Sequence, residues 1–367
     1  NRYYYMQFFY HTGINFGPTN YLKEQYTWGS RAYELRFGFQ SKGDELWQQY
    51  HRLPQYGLGI HYADLIANKE DTTIGNPISV FMFFNAPFIR WRKFKLSASL
   101  SLGLSYTNKC HDPVRNPYND VIASSVNLYF DTHLNLDYHM SHKVNLIMGI
   151  GLTHYSNGAI ERPQMGMNTL RINMGLSYNF FSDSKGADGD YMPDRSSVKQ
   201  AKRKRDSLFI STHETLQFMF SMGIIDEQKI GEYEGRRYTT SSFTFDYAFP
   251  LTPINNLTFG LDLLYNESLN RTYPGIPPEE VNFIQKSYLG SHMGFQVIIQ
   301  RVTLLLNLGT YFRQSSNDSG FWFLRAGGRI RITDHLQTHI CIKTKDGIRS
   351  DWIEWGLAYQ VKIKKPL

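Results

Sequence analysis

The strongest constraint on the fold is an alternation of apolar and polar residues with a period of two. It is clearest in residues 93–106, KFKLSASLSLGLSY, where the even positions from Phe94 to Tyr106 are apolar and the odd positions are Lys, Ser or Gly. Successive side chains of a β-strand point to opposite faces, whereas a helix repeats every 3.6 residues. This stretch therefore predicts a strand with one apolar face and one face of mostly small polar residues.

The alternation recurs along the chain in two groups of eight stretches. The first group of candidate strands lies near residues 3–14, 30–40, 54–63, 77–88, 93–106, 123–138, 143–156 and 168–180. The second group lies near residues 208–222, 239–250, 257–267, 286–299, 302–313, 320–332, 336–345 and 351–364. A short amphipathic helix is expected from Asp44 to Arg52. The chain is thus predicted to be all-β and antiparallel.

The length of the apolar runs excludes a helical membrane protein. The best candidate, ISVFMFF at 78–84, is far shorter than the ~18 residues that a membrane helix needs and is broken by Asn85 and Pro87. Aromatic residues nevertheless make up 15% of the chain, with 25 Tyr and 25 Phe, and alternating strands rich in aromatics are typical of transmembrane β-barrels. Because a bilayer tolerates no open sheet edge, the strands must close. Two tandem eight-stranded barrels are the first interpretation, and one sixteen-stranded barrel is the alternative.

Composition divides the chain into three parts. Residues 1–181 are predicted to form a first barrel, residues 182–206 a polar, basic linker, and residues 207–367 a second barrel. The two halves resemble a duplication, since RVTLLLNLGTYFRQ follows the rhythm of RKFKLSASLSLGLSYT. The basic cluster Lys202 to Arg205 is interpreted as a solvated charge run.

A predicted hairpin in the first half carries three polar side chains on its apolar face. In its first arm, apolar residues occupy every second position from Val144 to Leu152, and the same alternation places His154 and Ser156 on that face. In its second arm, the alternation that begins at Leu170 places Asn168 on the apolar face. A hydroxyl, an imidazole and an amide have the composition of a nucleophile, its base and the group that orients the base. The loop between the arms is long, which predicts that it lies on the external side of the membrane.

The corresponding hairpin of the second half lacks this set. Asp346 and Ile348 stand where the first half has His154 and Ser156. The second barrel is therefore predicted to be a degenerate repeat without the catalytic motif.

The motif HYSNG at 154–158, followed by Pro163, Gly166 and Asn168, resembles the signature of the PagL-type lipid A 3-O-deacylases, the outer-membrane acyloxyacyl hydrolase family. The resemblance covers the first half of the chain and implies an eight-stranded barrel in the bacterial outer membrane, with its active site near the outer leaflet. It also implies a serine esterase that removes the 3-O-linked acyl chain from lipid A of lipopolysaccharide.

Residue roles follow from the same resemblance. It implies that Ser156 is the nucleophile, His154 the general base, and the backbone amides of Asn157 and Gly158 the oxyanion donors. The family has Glu at the position of Asn168, where the amide can still accept the imidazole N–H and orient the ring. A slower enzyme is expected, because an amide cannot stabilise imidazolium by charge.

Two charged residues of the loop complete the candidate site. Glu161 is a second candidate for the missing carboxylate, and Arg162 is a candidate for binding the phosphates of lipid A.

Other function classes and ligands receive less support. A non-catalytic outer-membrane scaffold or partner, acting through the second half in an envelope complex, and an outer-membrane phospholipase remain alternatives. The net charge of +7 suits contact with anionic lipid, but no nucleic-acid module is recognisable. No metal-ligand spacing or cofactor site is expected, and Cys110 and Cys341 are interpreted as unpaired thiols. The opening NRYYYMQFFY lacks a leader pattern, so the sequence is interpreted as a mature chain.

Overall fold

A computed structural model describes ten segments of the chain. They are residues 3–16, 28–65, 73–141, 143–163, 166–180, 213–227, 236–271, 280–313, 320–346 and 349–364. The predicted linker, 182–206, lies outside these described residues, as does Ile348. Among the described residues no helix is both long and apolar enough to cross a membrane.

The first barrel closes with eight antiparallel strands in chain order, since the first strand pairs with the eighth. The strands are β1 (Tyr3–Phe16), β2 (Trp28–Gln40), β3 (Gln55–Asp64), β4 (Ile78–Trp91), β5 (Phe94–Tyr106), β6 (Val126–His139), β7 (Val144–Ser156) and β8 (Met167–Asn179). The predicted helix is present but short, as α1 (Leu46–Tyr50) between β2 and β3. The carboxyl-terminal ends of β1, β3, β5 and β7 lie at one end of this barrel, here called the long-loop end.

The second barrel closes in the same way, with its first strand paired to its last. Its strands are β9 (Glu214–Glu227), β10 (Arg236–Thr252), β11 (Asn255–Asn266), β12 (Ser287–Ile299), β13 (Val302–Arg313), β14 (Trp322–Arg331), β15 (Leu336–Lys345) and β16 (Arg349–Lys364). Two short 3₁₀ helices, Glu267–Arg271 and Ile284–Lys286, precede β12. The tandem arrangement is confirmed and the single sixteen-stranded barrel is wrong.

The chain divides into two compact units, one around each barrel, and residues Gly158–Arg162 group with the second unit. Cys110 lies in the first unit and Cys341 in the second, and both carry free thiols.

The predicted faces of the strands are confirmed in β5. Leu104 is 58% exposed and Leu102 is also exposed, whereas Ser97 and Ser101 are fully buried in the barrel interior. An apolar outer wall around a polar interior is the pattern of a barrel that stands in lipid.

The interior of the first barrel is a packed polar core. Arg36 forms an ion pair with Glu34 and donates a hydrogen bond to Ser99 Oγ at 2.9 Å. Lys95 pairs with Asp137 at 2.6 Å. Small inward residues leave room for these long charged side chains, because alternating small and large residues fill a narrow barrel.

The interior of the second barrel is more highly charged than the sequence pattern suggested. Arg325 is 1% exposed and bridges Asp262 at 2.8 Å and Glu354 at 2.6 Å. His292 Nδ1 lies 2.6 Å from the second oxygen of Asp262. Paired charges therefore fill the interior of this eight-stranded barrel.

Candidate functional site

Strand register brings two of the predicted site residues together. His154 on β7 pairs directly with Asn168 on β8, and side chains that face each other across two antiparallel strands have Cβ atoms about 4.5–5.5 Å apart. The imidazole Nδ1 lies 2.7 Å from Asn168 Oδ1. Because an amide oxygen can only accept, Nδ1 carries the proton and Nε2 has a free lone pair. The ring is thus held in the tautomer that a general base needs.

Ser156 is the last residue of β7 and has the outward parity of His154, Ile150 and Met148. It faces Leu128 of β6 in the strand register. The alternation along β7 places Ser156 on the outer face of the strand, yet the residue is only 3% exposed. Ser156 is therefore enclosed at the rim and is not open on the wall as the strand pattern alone suggested.

The residues between the site positions anchor β7 from the inside. Thr153 donates a hydrogen bond to Asp131 Oδ1 at 2.5 Å, and the hydroxyl of Tyr155 accepts one from Arg171 Nη2 at 3.2 Å. Arg171 also contacts His61 across the barrel. Arg171 is thus an interior residue. These contacts fix the end of β7 against β6, β8 and β3.

The loop after β5 packs against the hairpin loop that follows the site. Asn157 Nδ2 donates to Ser124 Oγ at 3.1 Å, and the N–H of Gly166 donates to the carbonyl of Val121 at 3.1 Å. Gly166 has a φ of +73°, and a Cβ at this position would lie 3.0 Å from His154 Cε1. Only glycine combines this backbone with so close an approach to the imidazole.

Residues of the loop after β5 that support this arrangement carry no strand pattern in the sequence. Asn119 is fully buried, donates to the carbonyls of Thr73 and Lys109, and accepts from the N–H groups of Val121 and Ile122. The segment 107–125 lacks a strand period, so periodicity could not find it. Its concentration of Asn and Asp residues was the available signal, because these side chains bond to nearby backbone groups in ordered turns.

The remaining candidates lie in the segment that groups with the second unit. Gly158 has a φ of +67° and Ala159 a φ of +64°, so the chain turns sharply after the site. Glu161 pairs with Arg237 at 2.9 Å, while His154 already has Asn168 as its partner. Glu161 as the substitute carboxylate is therefore not supported.

Arg162, the candidate phosphate ligand, has a backbone contact in the same unit. Its N–H donates to Asp226 Oδ2 at 3.1 Å.

The described residues contain no group of three or more His, Cys, Asp or Glu side chains placed to hold a metal ion.

Comparison with known families matches both halves of the chain. Residues 31–177 match the model of lipid A 3-O-deacylase (PagL), and residues 214–364 match the model of the acyloxyacyl hydrolase C-terminal domain. Together with the closed barrels and their apolar walls, these matches define an outer-membrane β-barrel protein of a hydrolase family. The first half of the chain belongs to the PagL family of lipid A 3-O-deacylases. No curated protein sequence matches the chain.

Two of the solved structures similar to the chain each cover about half of it. Neisserial surface protein A is 11% identical, covers 48% of this chain and 97% of its own, with a TM-score of 0.33. The outer-membrane enzyme PagL is 13% identical, covers 46% of this chain and 97% of its own, with a TM-score of 0.30. The fold assignment rests on the strand pairing described above.

Proposed function

We propose that the first barrel is an outer-membrane serine esterase that removes the 3-O-linked acyl chain from lipid A. The observation that carries the proposal is the 2.7 Å hydrogen bond between His154 and Asn168. It fixes a basic Nε2 on the strand that ends in Ser156, within a segment that matches the deacylase family model.

The reaction consists of two acyl transfers. Ser156 Oγ attacks the ester carbonyl while its proton passes to His154 Nε2, and the intermediate collapses to an acyl-serine as that proton passes to the departing sugar oxygen. Water then attacks the acyl-serine, with His154 again taking and returning a proton. The net reaction consumes one ester and one water and releases a 3-hydroxy fatty acid and a free sugar hydroxyl.

The oxyanion is assigned to backbone N–H groups at Asn157 and Gly158. The turn at Gly158 and the side-chain bond from Asn157 to Ser124 hold this backbone in one conformation. Preorganised donors of this kind stabilise the charge of the tetrahedral intermediate without reorganising during the reaction.

The location of the site suits a substrate that stays in its membrane. The three side chains lie at the long-loop end on strands whose outer faces are apolar, as Ile150 and Leu170 show by their exposure. A lipid held in the outer leaflet presents its ester linkage at the level of the membrane interface. The enzyme can therefore reach the ester without extracting the lipid.

The domain boundaries belong to the same proposal. Residues 1–181 form the catalytic barrel, 182–206 the linker and 207–367 a degenerate repeat whose strand β15 ends at Lys345, just before Asp346. In this arrangement the second half supplies no catalytic residue and is available for a protein partner.

The test is release of fatty acid, read by mass spectrometry, from purified protein mixed with lipopolysaccharide or with phospholipid. We expect a 3-hydroxy fatty acid from lipopolysaccharide, lost by at least about 10³-fold in Ser156→Ala, because the nucleophile and its base act as a unit. Ser101→Ala is the matched control, since Ser101 is buried in the barrel interior and its hydroxyl has no hydrogen-bond partner among the described residues.

Other outcomes point to the alternatives. Release from phospholipid alone would assign a phospholipase. Release from neither substrate by well-folded protein would support the non-catalytic scaffold. Equal activity of Ser156→Ala and Ser101→Ala would contradict the serine mechanism.

A further inference from the structure

A notch of about 320 Å³ opens at the long-loop end of the first barrel, between the loop after β3 and the loop after β5. The residues that line it, here called the β3–β5 notch, are Ile74, Gly75, Asn76, Ile78, Tyr106, Asn108 and Lys109. None of them belongs to the candidate catalytic set. The notch combines three kinds of surface that a single ligand would have to match.

The first surface is apolar and continues the outer wall of the barrel. Ile78 and Tyr106 are cross-strand partners on β4 and β5 and are 49% and 56% exposed. Ile74 lies fully buried at the back of the notch. A hydrocarbon chain running along the outer wall would reach the notch between Ile78 and Tyr106.

The second kind of surface carries a hydrogen-bond acceptor that has no donor. Asn76 Nδ2 donates to the hydroxyl of Tyr62 at 3.0 Å, but Asn76 Oδ1 is buried and has no hydrogen-bond partner among the described residues. A buried polar atom without a partner costs free energy, so a turn of the Asn76 amide toward a ligand O–H or N–H donor in the notch would be favoured.

The third kind of surface is the positive charge of Lys109. Lys109 is half-buried, and its ammonium group forms no ion pair in the part of the chain that the structure describes. Lysine is a frequent ligand of phosphate groups, because it supplies a compact positive charge and three donors.

The two loops that form the notch are held together before any ligand arrives. Asn116 Nδ2 donates to the carbonyls of Thr73 and Cys110 at 2.9 Å each. A Cβ on Gly75 would lie 2.6 Å from Thr107 Oγ1, so a larger residue would have to displace the loop after β5 or its side chains. A preformed site loses little conformational entropy when it binds.

Strand register relates the notch to the catalytic residues. Ser156 pairs with Leu128, which pairs with Leu104 on β5, and Tyr106 lies two residues beyond Leu104 toward the long-loop end. Two strand spacings of about 4.8 Å and two residues of about 3.3 Å each separate the two sites. This separation of roughly 12 Å is within the reach of one disaccharide headgroup.

We propose that the β3–β5 notch binds a phosphorylated part of the same glycolipid whose ester reacts at Ser156. The phosphate binds Lys109, a sugar hydroxyl or amide N–H donates to Asn76 Oδ1, and an acyl chain packs on Ile78 and Tyr106. The proposal rests on the proposed function for its choice of glycolipid, but it concerns binding and not the chemical step.

The experiment measures binding of lipid A to the full chain in detergent micelles, in the Ser156→Ala background so that no turnover occurs. Lys109→Ala is compared with Arg115→Ala, a cation in the same loop that does not line the notch. We expect Lys109→Ala to weaken binding of bisphosphorylated lipid A by about 10-fold or more, the usual effect of losing one charge-assisted bond. Arg115→Ala should change it by less than about 2-fold, and Lys109→Arg should restore most of the affinity.

Dephosphorylated lipid A separates the possible results. It should bind equally to the Ser156→Ala protein with and without Lys109→Ala. Inorganic phosphate at the same concentration should not displace bisphosphorylated lipid A. An equal loss for both lipids, or an equal loss in Arg115→Ala, would overturn the phosphate assignment. Displacement by inorganic phosphate would mean a simple anion site and overturn the glycolipid assignment. Because binding is read without turnover, absence of deacylation in the wild-type protein would remove the proposed function and leave this result standing.

Discussion

At the scale of single residues, the proposed chemistry depends on one cross-strand pair. His154 and Asn168 lie in regular strands, so the 2.7 Å contact between them is set by register and not by a flexible loop. Sites on strands are held more precisely than sites on loops. What the pair lacks is charge, because Asn168 orients the imidazole without stabilising imidazolium.

Replacing Asn168 by Asp supplies that charge with little change of shape. We expect Asn168→Asp to raise kcat by about 10-fold, because a carboxylate beside the ring favours the protonated base in the transition state. Asn168→Ala should lower kcat at least about 10-fold, since the ring loses its orientation. The measurement is the initial rate of 3-hydroxy fatty acid release. A lower rate in Asn168→Asp than in wild type would show that the amide donates a bond that the reaction requires.

At the scale of elements, the loop after β5 organises the rim. Asn119 alone bonds to four backbone groups that belong to Thr73, Lys109, Val121 and Ile122. Through Val121 and Ser124 this loop contacts Gly166 and Asn157, so it holds the hairpin that carries the proposed site.

Removal of the Asn119 amide tests this role. We expect Asn119→Ala to destabilise the loop by about 1–3 kcal/mol, the cost of leaving buried backbone groups unpaired, while the barrel strands stay protected. Hydrogen exchange should quicken in residues 107–125 and not in β5 or β6. Val114→Ala is the control, because Val114 is 83% exposed in the same loop. Uniform loss of protection across the barrel would contradict a local role.

The strands themselves were predictable because each carries its own signal. The predicted bounds of β13 and β15 agree with the structure to the residue. The alternation from Val144 to Leu152 predicted that His154 and Ser156 lie on the outer face of their strand. The loops were not predictable, because contacts such as that of Gly166 with Val121 join residues far apart in the sequence and leave no local period.

At the scale of the whole molecule, each barrel has its own ionic interior. In the second barrel Arg325 bridges Asp262 and Glu354, and all three are buried. Such a network specifies a filled interior, but it makes every member necessary, because an unpaired buried charge is costly.

Arg325→Met should therefore destabilise the second barrel by about 3–5 kcal/mol, since it removes the one guanidinium that Asp262 and Glu354 share and leaves their buried charge only partly compensated. The measurement is urea unfolding in detergent, followed by the loss of β-sheet circular dichroism. Adding Glu354→Gln should recover part of the loss by removing one of those charges. If the urea concentration at the unfolding midpoint is the same for Arg325→Met and for the wild type, the network contributes no net stability. The deacylase rate should be retained where the first barrel remains folded, because Ser156, His154 and Asn168 belong to the first unit.

The sequence by itself determined the strands, the faces of those strands and the three polar side chains at the end of one hairpin, because a period of two is a local property of the chain. Tertiary structure decided that the sixteen strands close as two rings of eight, since closure depends on β1 meeting β8 and β9 meeting β16. It also decided that Ser156 is enclosed at the rim and that buried charges are paired in both interiors. These outcomes arise from contacts between residues distant in the chain, and such contacts form only when the barrels close.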